Sequence, residues 1–108
     1  MKLAEFFEIV KAKIAWGWIQ GRSRSYDFHG MTACCLSGAL AIAHEEGGRD
    51  DNLVRSAVRT IREVIRLESS DSLGIADLVT WNDDPQRTKH EVLQVLNQCR
   101  NRCLENNL

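Results

Sequence analysis

The chain is poor in several residue types and patterns, and each scarcity excludes a class of protein. A single proline in 108 residues argues against a proline-rich linker or a disordered tail. Residues 1–19 alternate charged and apolar positions, so they resemble neither a secretory signal nor a membrane span. Acidic and basic residues nearly balance at a net charge of −1, so the total charge predicts no nonspecific nucleic-acid binding. We expect a cytoplasmic protein that makes no use of a membrane.

The length and the apolar content together predict one domain. A chain of 108 residues lies near the most common domain size and can bury one substantial core. Its 44% hydrophobic and 27% charged residues are typical of an ordinary globular protein. We therefore expect a single helical domain over residues 1–108.

Cysteine pairs with the spacing of metal or redox sites are missing. Cys34 and Cys35 are neighbours, and Cys99 and Cys103 lie one helical turn apart on an apolar stripe. No CxxC pair is present, and structural zinc sites usually contain one. We expect buried free thiols, no metal and no cofactor.

Apolar residues recur at helical spacing and predict an all-α fold, a compact bundle of four main helices plus a short helix. No segment shows sustained alternation of period two, so strands are not expected, and residues 20–30 are predicted to be the longest loop. Four main helices are predicted from Leu3 to near Trp16, from Thr32 to His44, from Leu53 to Ile65 after a cap at Asp50 or Asp51, and after the Thr88 cap through Val92 to Cys103. The short helix is predicted from Ile75 into Trp81, after a break at 69–72.

A dense polar stretch, residues 81–91, predicts a turn between the last two helices. Pro85 disfavours helix at the residue before it, and Thr88 and Glu91 have the spacing of a capping box. The structural interpretation is a braced turn made by Trp81, Asn82, Asp83, Arg87, Thr88 and Glu91. The alternative is that Asp83 and Asp84, with Asp71 and Asp77, form an acid–base pair or hold a hard cation.

Two arginine-rich segments are candidate contact surfaces. The third helix carries arginines at spacings of four, three and four, which predicts a basic ridge on one side: Arg55, Arg59, Arg62 and Arg66. The loop before the second helix interleaves cations with aromatic residues, as partner-binding loops do: Arg22, Arg24, Tyr26 and Phe28. A merely solvated arginine face, and aromatic rings folded inward over the helix ends, are the alternative interpretations.

A small cysteine-dependent enzyme is a competing hypothesis. A thiol near the start of the second helix would gain thiolate character from the helix dipole. The hypothesis assigns the nucleophile to Cys34 or Cys35, the base to His29 or His90, and the third member to an aspartate of the polar turn.

Several short motifs, taken in order, resemble a family of small uncharacterised proteins found in actinobacteria and in phages or prophages. The motifs are Gly17-Trp18-x-Gln20-Gly21, Cys35-Leu36-x-Gly38-Ala39, Trp81-Asn82-Asp83, Arg87-Thr88 and Glu91-Val92. The resemblance implies a helical domain from a mobile-element setting, where small proteins bind and disable host machinery. An anti-defence or anti-CRISPR inhibitor is one such role.

The expected function is therefore that of an interaction protein that binds and modulates a host macromolecule. A protein is the preferred partner, and nucleic acid is the alternative partner through the arginine ridge. The competing cysteine enzyme predicts a reactive thiol, which the interaction hypothesis does not need.

Overall fold

The computed structural model describes residues 1–66 and 74–108, and within these ranges it contains a short hairpin and five helices. The helices are α1 (Leu3–Trp16), α2 (Leu36–Glu46), α3 (Asp51–Val64), α4 (Ile75–Asn82) and α5 (Lys89–Glu105), and the strands are β1 (Arg24–Asp27) and β2 (Gly30–Cys34). The predicted break at residues 69–72 and the candidate carboxylate Asp71 lie outside the described residues.

Helix α1 lies at the centre of the core. Its apolar side chains at helical spacing are almost fully buried, and it packs most extensively against α5 and also against α2 and α3. One continuous cluster joins these helices and includes Phe6, Phe7, Val10, Leu36, Leu40, Ile61, Leu78 and Leu96. The predicted first and last helices are confirmed, together with the burial of Val92, Leu96, Cys99 and Cys103 on α5.

The predicted helix starts are confirmed where capping residues mark them. The Asp50 carboxylate accepts hydrogen bonds from Asn52 N and Leu53 N at the start of α3. Both hydrogen bonds of the capping box between Thr88 and Glu91 are present at the start of α5. Cap chemistry was therefore a reliable guide to these boundaries.

The predicted all-α class is wrong, because residues 24–34 form an antiparallel hairpin instead of a loop followed by helix. Arg24 pairs with Cys34, Ser25 with Ala33, Tyr26 with Met31 and Asp27 with Gly30. The strands are only four and five residues long, and the register shifts between Ser25 and Tyr26. So short and irregular a pairing shows no sustained alternation in sequence, which is why periodicity missed it.

The second helix consequently begins later than predicted, at Leu36 instead of Thr32. Cys35 is its N-cap, and the Cys35 Sγ accepts a hydrogen bond from Gly38 N at 3.4 Å. Cysteine is not a usual capping residue, so no cap signal marked this boundary in the sequence.

None of the helices in the described ranges is both long and apolar enough to cross a bilayer.

Candidate functional site

Among the described residues outside α1, the most exposed aromatic side chains lie on the hairpin. Phe28, at the turn, is 93% exposed, and Tyr26 on β1 is 62% exposed. The Phe28 and His29 rings lie against each other with centroids 4.1 Å apart. The structure therefore places both predicted aromatic residues outward, and the inward alternative is not observed.

The arginines of this segment differ in their surroundings. Arg22 is exposed, whereas the Arg24 guanidinium lies 3.4 Å from a carboxylate oxygen of Glu45 on α2. Hydrogen bonding to the Tyr26 side chain, and then to Glu45, raises the pKa of Arg24. Arg24 thus holds the base of the hairpin beside α2 while Arg22 stays in solvent.

Main-chain contacts mount the hairpin on the helical body. Gly17 O accepts a hydrogen bond from Cys34 N, and Ile19 N donates to Cys34 O, so residues 17–19 flank the end of β2. A Cβ atom on Gly17 would lie 2.1 Å from Thr32 O, and one on Gly38 would lie 2.1 Å from Ser23 O. Both glycines are required because backbone approaches backbone at these two points.

Asn82, at the end of α4, is fully buried and joins these segments to the rest of the fold. Its Oδ1 accepts hydrogen bonds from Trp18 Nε1 at 2.8 Å and from Leu36 N at 3.1 Å. Its Nδ2 donates to Ile19 O at 3.2 Å and to Asp83 Oδ1 at 3.0 Å. All of the donors and acceptors of this amide side chain are therefore used.

The rest of the polar stretch braces the same junction. The Asp83 carboxylate accepts a hydrogen bond from Gly21 N, and Gln20 Nε2 donates to Asn82 O and to Asp84 O. These contacts engage Asp83 in structure rather than leaving it free for a cation.

Trp81 and Arg87 cover the outside of this turn. The Arg87 guanidinium lies 4.0 Å from the Trp81 ring centroid, and Arg87 Nε donates to Trp81 O at 3.0 Å. Arg87 also pairs with Glu91 at 3.1 Å. The six residues grouped as a turn in the sequence are thus brought together, although Trp81 and Asn82 belong to the last turn of α4.

The predicted arginine ridge is divided in the structure. Arg55 and Arg59 are exposed on α3 and form no ion pair with a described residue, whereas Arg62 Nη1 lies 3.3 Å from Asp77 Oδ2 of α4. Arg66 is exposed but follows the end of α3, with a φ of 57°. Two arginines, one turn apart, therefore remain as the continuous basic surface of the helix.

A family model matches residues 3–102, and its description is a family of unknown function, DUF6197. The chain belongs to DUF6197. The match includes the hairpin, the Asn82 junction and the exposed arginines of this DUF6197 protein. No curated protein and no solved structure matches it.

The cysteines of this DUF6197 member are buried free thiols, as predicted. Burial raises the pKa of Cys34 to about 11 and that of Cys99 to about 12, and it also raises the pKa of Cys103. Cys35 Sγ lies 3.1 Å from Ser37 Oγ in its capping position. The buried environment of Cys34 therefore disfavours the thiolate that the nucleophile hypothesis requires.

The histidines proposed as catalytic bases lie elsewhere on the surface. His29 is exposed at the hairpin turn, and His90 is exposed on the first turn of α5. Within residues 1–66 and 74–108, no group of three or more His, Cys, Asp or Glu side chains is placed to hold a metal ion.

Sequence reasoning missed two features of this region. Trp16, at the end of α1, is 74% exposed, and the sequence made no prediction for its side chain. Trp18 instead lies partly buried and reaches Asn82. The paired motifs Trp18-x-Gln20-Gly21 and Trp81-Asn82-Asp83 were visible in the sequence, but nothing in their spacing indicated that they contact each other.

Proposed function

We propose that this protein is an interaction module that binds and modulates a host macromolecule, with the hairpin residues Arg22, Tyr26 and Phe28 as its main contact surface. The observation that carries the proposal is the exposure of Phe28 and Tyr26 on an ordered hairpin. Exposed aromatic side chains beside arginine are enriched where proteins bind partners.

The way the hairpin is mounted supports this role. Gly17, Gly38 and Asn82 position its base through backbone contacts and buried hydrogen bonds, and Phe28 contributes little to the core. A rigid base that presents exposed side chains loses little conformational entropy when it binds. Phe28 and Tyr26 are therefore better explained by an external contact than by stability.

A protein is the preferred partner of this surface. The hairpin segment combines two exposed aromatic side chains with charges of both signs, Arg22, Arg24 and Asp27, and the α3 arginines add a separate positive area. The resemblance to proteins of phages and prophages makes a host defence complex the first partner to test, with inhibition of that complex as the proposed effect. Nucleic acid is the second candidate, because Arg55 and Arg59 are exposed without a described acidic partner.

The proposal is tested with the double variant Tyr26→Ser/Phe28→Ser. Both side chains are exposed, so the variant should fold with an unchanged thermal midpoint. Capture of the host partner from lysate, followed by titration with the purified partner, should show at least a tenfold loss of affinity. Leu104→Ser is the matched control, because Leu104 is an exposed apolar residue on α5, away from the hairpin.

The second arm replaces Arg55 and Arg59 by glutamate and measures binding to DNA and RNA at several salt concentrations. Steep salt-dependent binding that disappears in this variant, together with unchanged binding by the hairpin variant, would replace the protein partner by nucleic acid. Equal capture by the wild type, the hairpin variant and Leu104→Ser would refute the hairpin as the contact surface.

A further inference from the structure

The outer edge of β1 is a feature of the hairpin that is distinct from its exposed rings. In the described part of the chain the sheet has two strands, so β1 is paired on one side by β2 alone. On that side Ser23 O accepts a hydrogen bond from Cys35 N. Main-chain groups alternate between the two edges of an antiparallel strand, so Arg24 and Tyr26 direct theirs to the other edge.

The β1 edge is short, but it lacks two of the devices that usually protect edge strands, a bulge and a proline or lysine. The register shift between Ser25 and Tyr26 places the additional residue, Thr32, in β2, so β1 itself is not bulged. No proline or lysine lies in β1, and of its two charged side chains Arg24 pairs with Glu45 while Asp27 accepts a hydrogen bond from His29 N in the turn. An open edge without a bulge or proline of its own is a template for another strand.

The sequence of β1 is complementary to that of a second, antiparallel copy of β1 when the two strands are centred on Ser25. In that register Arg24 lies opposite Tyr26 of a second copy, and Ser23 lies opposite Asp27. Arg24 of each copy therefore meets the Tyr26 ring of the other, a pairing in which cation–π attraction is favourable.

The alternation of side chains between the two faces of β1 agrees with this register. Antiparallel partners related by a twofold axis through Ser25 keep their side chains on the same face, so Arg24 and Tyr26 of both copies lie together. Arg24 and Tyr26 already interact on one face of β1. They are also the two residues that direct their backbone groups to the open edge, so the register uses those groups in reciprocal hydrogen bonds.

We infer that β1 pairs with β1 of a second copy of this chain, antiparallel and centred on Ser25, to form a four-stranded sheet. The inference depends on the edge of β1 and not on the identity of a host partner. In the pair, both copies of Tyr26 lie on one continuous sheet and each Phe28 lies at the hairpin turn beside it, which enlarges the contact surface proposed above. Because β1 is only four residues long, the pair is weak and depends on concentration.

Directed crosslinking tests the register. In the Ser25→Cys variant the two introduced cysteines face each other across the axis at a Cα separation of about 4.5 Å, which a disulfide can span. Oxidised glutathione should convert this variant to a covalent dimer. Ser23→Cys is the matched control, because the two copies of residue 23 would lie about 13 Å apart along the paired strands. The four native cysteines are buried and do not compete.

A second measurement separates edge pairing from ring contacts. Tyr26→Pro and Tyr26→Val both remove the ring, but only proline also removes the amide on the open edge, and proline is tolerated on an edge strand. Sedimentation velocity over a range of concentrations should show a dimer for the wild type, a dimer or weakened dimer for Tyr26→Val, and a monomer for Tyr26→Pro. Circular dichroism checks that both variants are folded.

A wild type that stays monomeric at all concentrations, or equal crosslinking by Ser25→Cys and Ser23→Cys, would overturn the inference. The host partner is tested separately. A monomeric Tyr26→Pro variant that binds the host partner as tightly as Tyr26→Val would show that the contact surface needs only one copy. A dimeric wild type that binds no host macromolecule would instead refute the proposed function, whereas the inference that β1 pairs with a second copy would be unaffected.

Discussion

Asn82 stabilises the junction at which the hairpin, α2 and α4 meet. Trp18 Nε1 and Leu36 N both donate to its Oδ1, and Leu36 N is the first amide of α2. A helix needs acceptors for its first amides, so Asn82 supplies one from another element. Asn82 thus connects the motifs around Trp18, Leu36 and Trp81, which are distant from one another in sequence.

We predict that Asn82→Ala lowers the free energy of unfolding by about 2–4 kcal/mol, because it leaves two buried donors without acceptors. Asn82→Asp should also destabilise, since a carboxylate would face the Asp83 carboxylate and Ile19 O. Urea unfolding followed by tryptophan fluorescence measures both effects. Asn101→Ala, on the exposed face of α5, is the control and should stay within about 0.5 kcal/mol of the wild type. A change as small for Asn82→Ala would show that the junction does not depend on this amide.

At the scale of elements, the sequence was informative where helices have long apolar stripes or side-chain caps. Leu3 to Ile14 predicted α1, Asp50 predicted the start of α3, and Thr88 with Glu91 predicted the start of α5. The hairpin was missed because its strands are short and the residues at its end, Cys34 of β2 and the N-cap Cys35, carry no turn or cap signal. Its stability depends on contacts distant in sequence, which a local pattern does not contain.

The candidate contact residues show the same division. The aromatic and arginine composition of residues 22–28 identified a surface segment, but the sequence left the direction of its rings open. The arginine spacing on α3 predicted one ridge, whereas Asp77 of α4 binds Arg62 and the helix ends before Arg66. Spacing predicts which residues share a helix face, but not which of them a neighbouring helix engages.

We predict that Gly38→Ala displaces the hairpin from α2. The close neighbour of Gly38 is Ser23 O, which is backbone and cannot move without the hairpin. The expected loss of stability is about 1–3 kcal/mol, typical of overpacking at a tight contact. Hydrogen exchange should show faster exchange for residues 24–34 than in the wild type.

Ala41→Ser, at an exposed position of the same helix, is the matched control and should leave the exchange of the hairpin unchanged. Wild-type exchange rates across residues 24–34 in Gly38→Ala would contradict the close packing between Gly38 and Ser23.

At the scale of the whole molecule, one core buries side chains from all five described helices together with Cys34 at the end of β2. Cooperative unfolding is expected for a core of this size. Unfolding then exposes Cys34 and Cys99 at once, so the ionisation of these thiols is linked to the stability of the whole fold.

We predict that stability falls as the pH rises from about 9 to about 12. The folded-state pKa values of Cys34 and Cys99, about 11 and about 12, lie above the ordinary value of 9.0. Below pH 9 the Cys34 and Cys99 thiols are protonated in both the folded and the unfolded state. Above pH 9 they ionise first in the unfolded state, which stabilises that state and lowers the free energy of unfolding. Each thiol contributes about 1.4 kcal/mol per pH unit within its own interval.

Urea unfolding at several pH values measures this loss, and the Cys34→Ala/Cys99→Ala variant is the control. Its stability should fall less steeply than that of the wild type between pH 9 and 11, although other groups also titrate there. Identical slopes for the two proteins would mean that the buried thiols are not linked to unfolding.

The close backbone contacts at Gly17 and Gly38 have a consequence for how this surface evolves. Because main-chain atoms hold the base of the hairpin, the side chains at its tip are not needed to position that base. Positions 26 and 28 can therefore vary while the scaffold stays constant, as recognition loops do, whereas Asp27 accepts a hydrogen bond from His29 N and Gly30 has a φ of 126°. A foreign recognition sequence that keeps Asp27 and Gly30 should be displayed in the same place.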